Sequence, residues 1–419
     1  MRSDLRLEAY RARRAHGHPW FITGVSSSGF SGVVVIPSLA ESGSLQATLE
    51  SLACNPPEIL GQFLVLVVVN HRADADQQDK ADNVKTLGML PVLAGRLPMN
   101  LAWVDAASTG LELPVRDGGV GMARKIGFDL ALPHLAWDAE GPVLVSLDAD
   151  TLVGPDYLPA IFGHFKSSTA GGAVIPFCHR EAMTPEGQEI IDRYELFLRC
   201  YVLGLSYAGS PYAFHTVGSA MACTGAAYLR AGGMNNRRAG EDFYFLQHLS
   251  KTAGIGQVKG TVVYPSPRSS HRVPFGTGRT VSRGLAGDEG AISFYHPECF
   301  RLLGEWLSLV AESFGSSAEM IQQAATHISP ILSRYLGGEC FLASWERISR
   351  VKKTNEAFLA GFHEWFDGLR TMKLIHELSA ESFPRCGSEE AVAPLLAMVG
   401  LEPAADVKAQ LELLRKVQS

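Results

Sequence analysis

The sequence predicts an α/β protein with a mostly parallel sheet flanked by helices, continued by a helical C-terminal region. Three observations predict it. Short, wholly apolar runs alternate with stretches of helical periodicity as far as Leu147. One such run leads directly into a pair of aspartates, Asp148 and Asp150. Beyond Gly290, every periodic stretch has the helical spacing.

The first 31 residues read as an arm: a short basic helix over Leu5 to Arg14, then a Ser/Gly-rich linker from Gly24 to Gly32. Val33-Val34-Val35-Ile36, stopped by Pro37, suits a strand buried on both faces. Ser44 to Cys54 follows as a helix, with Leu45, Leu49 and Leu52 on one stripe. Phe63 to Val69 is a second strand, Asp79 to Leu90 a helix, and Leu101 to Asp105 a third strand. Gly121 to Leu132 is a helix and Val143 to Leu147 a fourth strand. Strand–helix alternation of this kind implies right-handed crossovers and parallel pairing.

Helices at Tyr157–Phe165, Gly187–Gly204 and from Glu241, with strands at Ala173–Phe177 and Gly260–Tyr264, complete an α/β domain expected over 32–289. Residues 290–419 are expected to form the helical region.

Of the 419 residues, 46% are hydrophobic and 19% charged, enough to bury a large core. A net charge of −6 argues against a nucleic-acid binder, which needs a basic surface to displace counterions. The seven cysteines are scattered and never form a C-x-x-C pair, which points to reduced thiols and a cytoplasmic protein. No apolar run is long enough to span a bilayer. The basic first helix leaves room for a peripheral membrane contact or for contact between copies of the chain.

The chemistry concentrates in four places. Asp148 and Asp150 end an apolar strand, where open α/β sheets bind ligands. On extended chain, residues two apart face the same way, so both carboxylates would address one hard cation, Mg²⁺ or Mn²⁺. Arg124 and Lys125 follow a Gly-rich turn, suited to phosphate. Glu241 and Asp242 open a helix and offer a general base. The loop Ser269 to Arg279 supplies His271 as a metal ligand and Arg272 and Arg279 as diphosphate clamps, with glycines for a lid.

The Asp-x-Asp stretch resembles that of GT-A glycosyltransferases, particularly family 2. VVVIPSLAE over Val33–Glu41 is similar to that family's opening strand, and GGVGMARKIGFDLAL over Gly118–Leu132 to its Arg-bearing helix. Gly232-Gly233 followed by Gly240-Glu241-Asp242 is similar to its Gly-Gly…Glu-Asp element. The resemblance covers about residues 32–290 and implies a Rossmann-like GT-A fold.

It also implies a nucleotide-sugar donor (UDP- or GDP-sugar) and an unidentified acceptor hydroxyl. Pro37, Glu41, Asn70, Arg124, Lys125, Asp148, Arg272 and Arg279 fall at the donor, Asp148, Asp150 and His271 at the metal, and Asp242 is the inverting base with Glu241 beside it. Two positions depart from the pattern. Ala40 replaces the usual Asn before Glu41, and the second strand ends in Asn70, where a base-reading aspartate is expected.

Three alternatives stay open. The length and helical C-terminal region also resemble retaining GT-A transferases that act on small polar acceptors, such as mannosylglycerate synthase. A nucleotidyltransferase would share the sheet and the acids, but wants a Gly-rich basic loop after strand one, where this chain has Pro37-Ser38-Leu39-Ala40-Glu41. A non-catalytic sugar-nucleotide binder would not need all of Asp148, Asp150, Glu241 and Asp242.

Overall fold

The computed structural model describes residues 2–138, 141–237, 239–269 and 276–419. The chain divides into two compact units: Met1–Ala182 with Thr216–Arg279 and Ser419, and Met183–His215 with Thr280–Gln418.

The first unit is built on an eight-stranded sheet. In chain order its strands are β1 (Ile22–Thr23), β2 (Gly32–Ser38), β3 (Phe63–Asn70), β4 (Asn100–Ala106), β5 (Val143–Ser146), β7 (Gly172–Val174), β8 (Met221–Thr224) and β9 (Ile255–Gln257). A separate antiparallel pair joins β6 (Leu152–Val153) to β10 (Val263–Tyr264). The sheet order is β1-β4-β3-β2-β5-β8-β7-β9. Its centre, β4-β3-β2-β5, is parallel, whereas β8 runs antiparallel to both β5 and β7.

β2 and β3 are buried along their whole length, which is why they read as unbroken apolar runs rather than alternating ones. The helix Val120–Ala131 packs on them. The strand order reverses at β2: β3 and β4 lie on one side and β5 on the other. The carboxyl ends of β2 and β5 therefore flank a topological switch point, the place where such sheets leave a crevice for ligands.

The α/β class with a mostly parallel, helix-flanked sheet is thus as expected, while the arm is corrected. The helix Arg2–Arg13 buries Leu7 and Tyr10, which lie three residues apart on one face, and Ile22–Thr23 adds an edge strand to β4. Tyr10 donates to Asp129 Oδ1 at 2.7 Å, and His16 N donates to Asp129 Oδ2 at 2.8 Å. Two apolar residues among many charges are too weak a stripe to announce a docked helix in the sequence. The short β1, β6, β8 and β9 also escape the pattern, because four residues or fewer carry no period.

The second unit is helical. Its core gathers Trp306, Trp345, Phe341, Phe358 and Phe362 from the C-terminal helices together with Leu196, Leu203 and Leu205. Those leucines lie on the helix Pro185–Tyr207, from within the range 32–289 expected for the α/β domain. The same helix presents buried Glu195, which accepts from Arg415 Nε at 2.8 Å and from Arg199 Nε at 2.9 Å. Beyond residue 290, the only extended pairing among the described residues is an isolated bridge between Phe294 and Cys386. No helix among the described residues is long and apolar enough to cross a membrane.

Candidate active site

β5 stops at Ser146 because the chain turns out of the sheet. Leu147 N still donates to Val35 O at 3.1 Å, but Thr151 N donates to Asp148 O at 3.1 Å and closes a turn. The expectation that Asp148 and Asp150 share one face of extended chain is therefore corrected. On the turn, each acid meets a different guanidinium.

Asp148 Oδ1 accepts from Arg124 Nη2 at 2.5 Å, and the same guanidinium donates through Nη1 to Glu241 Oε1. The Arg124 side chain is only 2% exposed. Burial works against its charge, but Asp148 and Glu241 more than compensate and hold it protonated. Gly218 gives this guanidinium room, since a Cβ there would lie 2.4 Å from Nη2. Ser146 fixes that glycine by donating from Oγ to Gly218 O at 2.7 Å.

Glu241 and Asp242 open the helix Glu241–Ala253, entered through Gly240 at φ 69°. Asn235 Nδ2 donates to Glu241 O at 2.9 Å and ties the preceding loop to this start. Asp242 Oδ1 accepts from Phe243 N at 2.7 Å. Burial first, and the Glu241 charge next, push the Asp242 carboxyl up to about 7, with Arg124 pulling the other way. A carboxylate poised there has the affinity for a proton that a general base requires near neutrality.

On the β2 side, Ala40 adopts φ 53°, a left-handed conformation that Asn tolerates better than Ala. Its amide is held by Asn83 Oδ1 at 2.9 Å, and Ser42 N by Asp82 Oδ1 at 2.9 Å. This bend presents buried Glu41 towards Arg268, which donates through Nη2 to Glu41 Oε1 and through Nε to Asp150 Oδ2 at 2.9 Å. Arg268 and Asp150 meet because β6 and β10 pair antiparallel, Tyr264 opposite Leu152. Asp150 precedes β6 and Arg268 follows β10, so both lie beyond the same end of the pair. Arg180 completes this corner, donating through Nη2 to Asp150 O at 3.0 Å.

The structure thus gathers Asp148, Arg124, Glu241 and Asp242, and separately Glu41 and Asp150. It disperses others. Lys125 turns away from Arg124, donating from Nζ to Asp129 Oδ2 and to Tyr10 Oη, both at 2.8 Å, so its donor-site assignment is corrected to an internal ion pair. Adjacent residues on a helix point about 100° apart, and only one can face the crevice. Pro37 is an interior residue of β2 opposite Val68. Asn70 is buried, and its amide nitrogen donates to Val68 O at 3.0 Å and Ser38 O at 3.3 Å, which directs its donors at main chain. Arg279 is exposed on the helix Thr277–Leu285. His271 and Arg272 lie outside the described residues.

Arg268 and Arg180 were not anticipated. The only sequence signal was an arginine within Pro265-Ser266-Pro267-Arg268, just past the last strand. Among the described residues, no group of three His, Cys, Asp or Glu side chains is disposed to hold a metal alone. Two carboxylates held by different guanidiniums would need phosphate oxygens and water to complete the shell of a hard cation. Asp148 offers Oδ2 from a side chain 36% exposed, and Asp150 is 22% exposed.

No known sequence family matches the chain, and no curated protein sequence does. Among solved structures, it is similar to S. aureus TarS 1–349 in complex with UDP-GlcNAc (14% identity, TM-score 0.39, covering 93% of this chain and 90% of that chain). It is also similar to the mannosyltransferase PcManGT of Pyrobaculum calidifontis in complex with GDP-Man and Mn²⁺ (15%, 0.38, 90% and 91%). A third is glucosyl-3-phosphoglycerate synthase of Mycobacterium tuberculosis in complex with UDP (18%, 0.32, 68% and 83%).

Proposed function

We propose that the chain is a GT-A glycosyltransferase that moves a sugar from a nucleotide-sugar donor to an acceptor hydroxyl with inversion. The observation that carries this reading is the joining of two acid sets through Arg124. Asp148 stands at the switch point, and Asp242 stands beside Glu241 with its proton affinity raised to near neutrality. Asp148 and Asp150 would hold a Mg²⁺ or Mn²⁺ ion, which supplies Lewis-acid stabilisation of the departing diphosphate.

Asp242 takes the proton of the acceptor hydroxyl as that oxygen attacks the anomeric carbon. Glu241, fixed by Arg124, keeps the neighbouring negative charge that makes Asp242 basic. Arg124, buried and paired with both Asp148 and Glu241, orients these acids. The absence of disulfides among the described residues, with two of the cysteines exposed, supports a reducing cytoplasmic location.

The test is a thermal-shift screen of UDP-, GDP- and dTDP-sugars with and without Mn²⁺, followed by donor hydrolysis with the best ligand. A metal-dependent stabilisation and hydrolysis abolished by EDTA is expected. No shift with any donor would refute the reading. Product NMR showing a retained anomeric configuration would refute inversion and Asp242 as base.

A further inference from the structure

The guanidinium of Arg268 sits between two carboxylates from opposite sides of the switch point. Glu41 follows β2 and Asp150 follows β5. Both partners are poorly exposed, 8% for Glu41 and 22% for Asp150, while Arg268 is 34% exposed. The arginine therefore reaches in from the surface to acids that are set deeper. Its backbone is well placed to do so. Pro265 and Pro267 stiffen the segment, Arg180 N donates to Pro265 O at 3.0 Å, and the β6–β10 pair fixes the segment's origin.

We propose that Arg268 is a resident counter-cation of the metal side of the site, bridging Glu41 and Asp150 until a divalent ion displaces it from Asp150. The inference rests on the glycosyltransferase reading of Asp148 and Asp150 as the metal acids, and it adds Arg268 and Glu41 to that site. The physical reason is competition for the same oxygen. Asp150 Oδ2 accepts from Arg268 Nε at 2.9 Å, and an oxygen so engaged is a poorer ligand for a cation at 2.0–2.2 Å, roughly the Mg²⁺ and Mn²⁺ range.

A guanidinium spreads one charge over a planar fork whose donors can pair again with other anionic oxygens. A third-exposed side chain has solvent to move into. Once released, the fork is free to meet the anionic oxygens that a diphosphate brings with its metal. Ion and arginine then exchange places at one carboxylate, and the acids stay neutralised in both states.

The experiment titrates the full-length protein with Mn²⁺ alone and follows the loss of the free-ion EPR signal, with no donor present. Wild type, Arg268→Gln, Arg268→Ala and the double variant Arg268→Gln/Asp150→Asn are compared, each checked for folding by circular dichroism. Removing the competitor should tighten Mn²⁺ binding about tenfold, the scale of one partly buried charge-assisted pair. The gain should vanish in the double variant.

Mn²⁺ affinity unchanged or weakened in both single variants would overturn the inference while leaving the metal site standing. Equal tightening in the double variant would place the ion away from Asp150 and overturn the inference together with the metal assignment. An absence of Mn²⁺ binding in every protein, in a repeat with UDP or GDP supplying the phosphate oxygens as well as without, would overturn both.

Discussion

Replacing Asp242 by Asn tests the electrostatics of the site without any knowledge of donor or acceptor. The folded protein raises the Asp242 carboxyl from 3.8 to about 7, chiefly by burial and then by Glu241. A group whose pKa is raised on folding contributes stability that is complete below its unfolded pKa. That stability is lost as pH rises through the folded value. The window is therefore about pH 4 to about pH 7, with a slope of roughly 1.4 kcal/mol per unit.

Between about pH 5 and about pH 8, wild type should lose about 2–3 kcal/mol through this carboxyl, because about two units of the window lie above the lower pH. Asn has no such proton to release, and its Oδ1 can still accept from Phe243 N. The stability difference between Asp242→Asn and wild type should then shift by that amount in favour of the variant as pH rises. Urea unfolding read by hydrogen exchange in β2, β3 and β5 follows the first unit alone. Parallel pH profiles for the two proteins would refute the account of why Asp242 is basic.

Arg124→Gln leaves Asp148 and Glu241 without their shared guanidinium and should destabilise the first unit by about 3 kcal/mol, measured by the same unfolding. Gly218→Ala places a methyl against the Arg124 fork, 2.4 Å from Nη2. It should cost about 1–3 kcal/mol by overpacking and be much milder in an Arg124→Gln background, a non-additivity that a double-mutant cycle detects. Ala40→Gly relieves a left-handed alanine and should stabilise the protein by about 0.5–1 kcal/mol in the same assay, with the Asn83 hydrogen bond retained.

The sequence by itself determined the central strands, because burial on both faces demands unbroken apolar runs such as Val33–Ile36 and Phe63–Val69. It also marked Asp148, Asp150, Glu241 and Asp242, because carboxylates at a strand end or a helix start stand out against apolar neighbours. The C-terminal helices were legible for the same reason of period. Only the tertiary structure decided which charges meet. Arg124 and Lys125 are adjacent in sequence, yet one joins Asp148 to Glu241 and the other serves Asp129 and Tyr10.

Arg268 finds Glu41 across 227 residues, and Arg124 finds Glu241 across 117. Such pairs are set by strand order, by the antiparallel meeting of β6 and β10, and by a glycine that lets a guanidinium pass. Local propensity carries no record of them. Hydrophobic period reports which face of an element is buried, whereas an ion pair depends on the positions of two elements at once, and the packed fold alone fixes those.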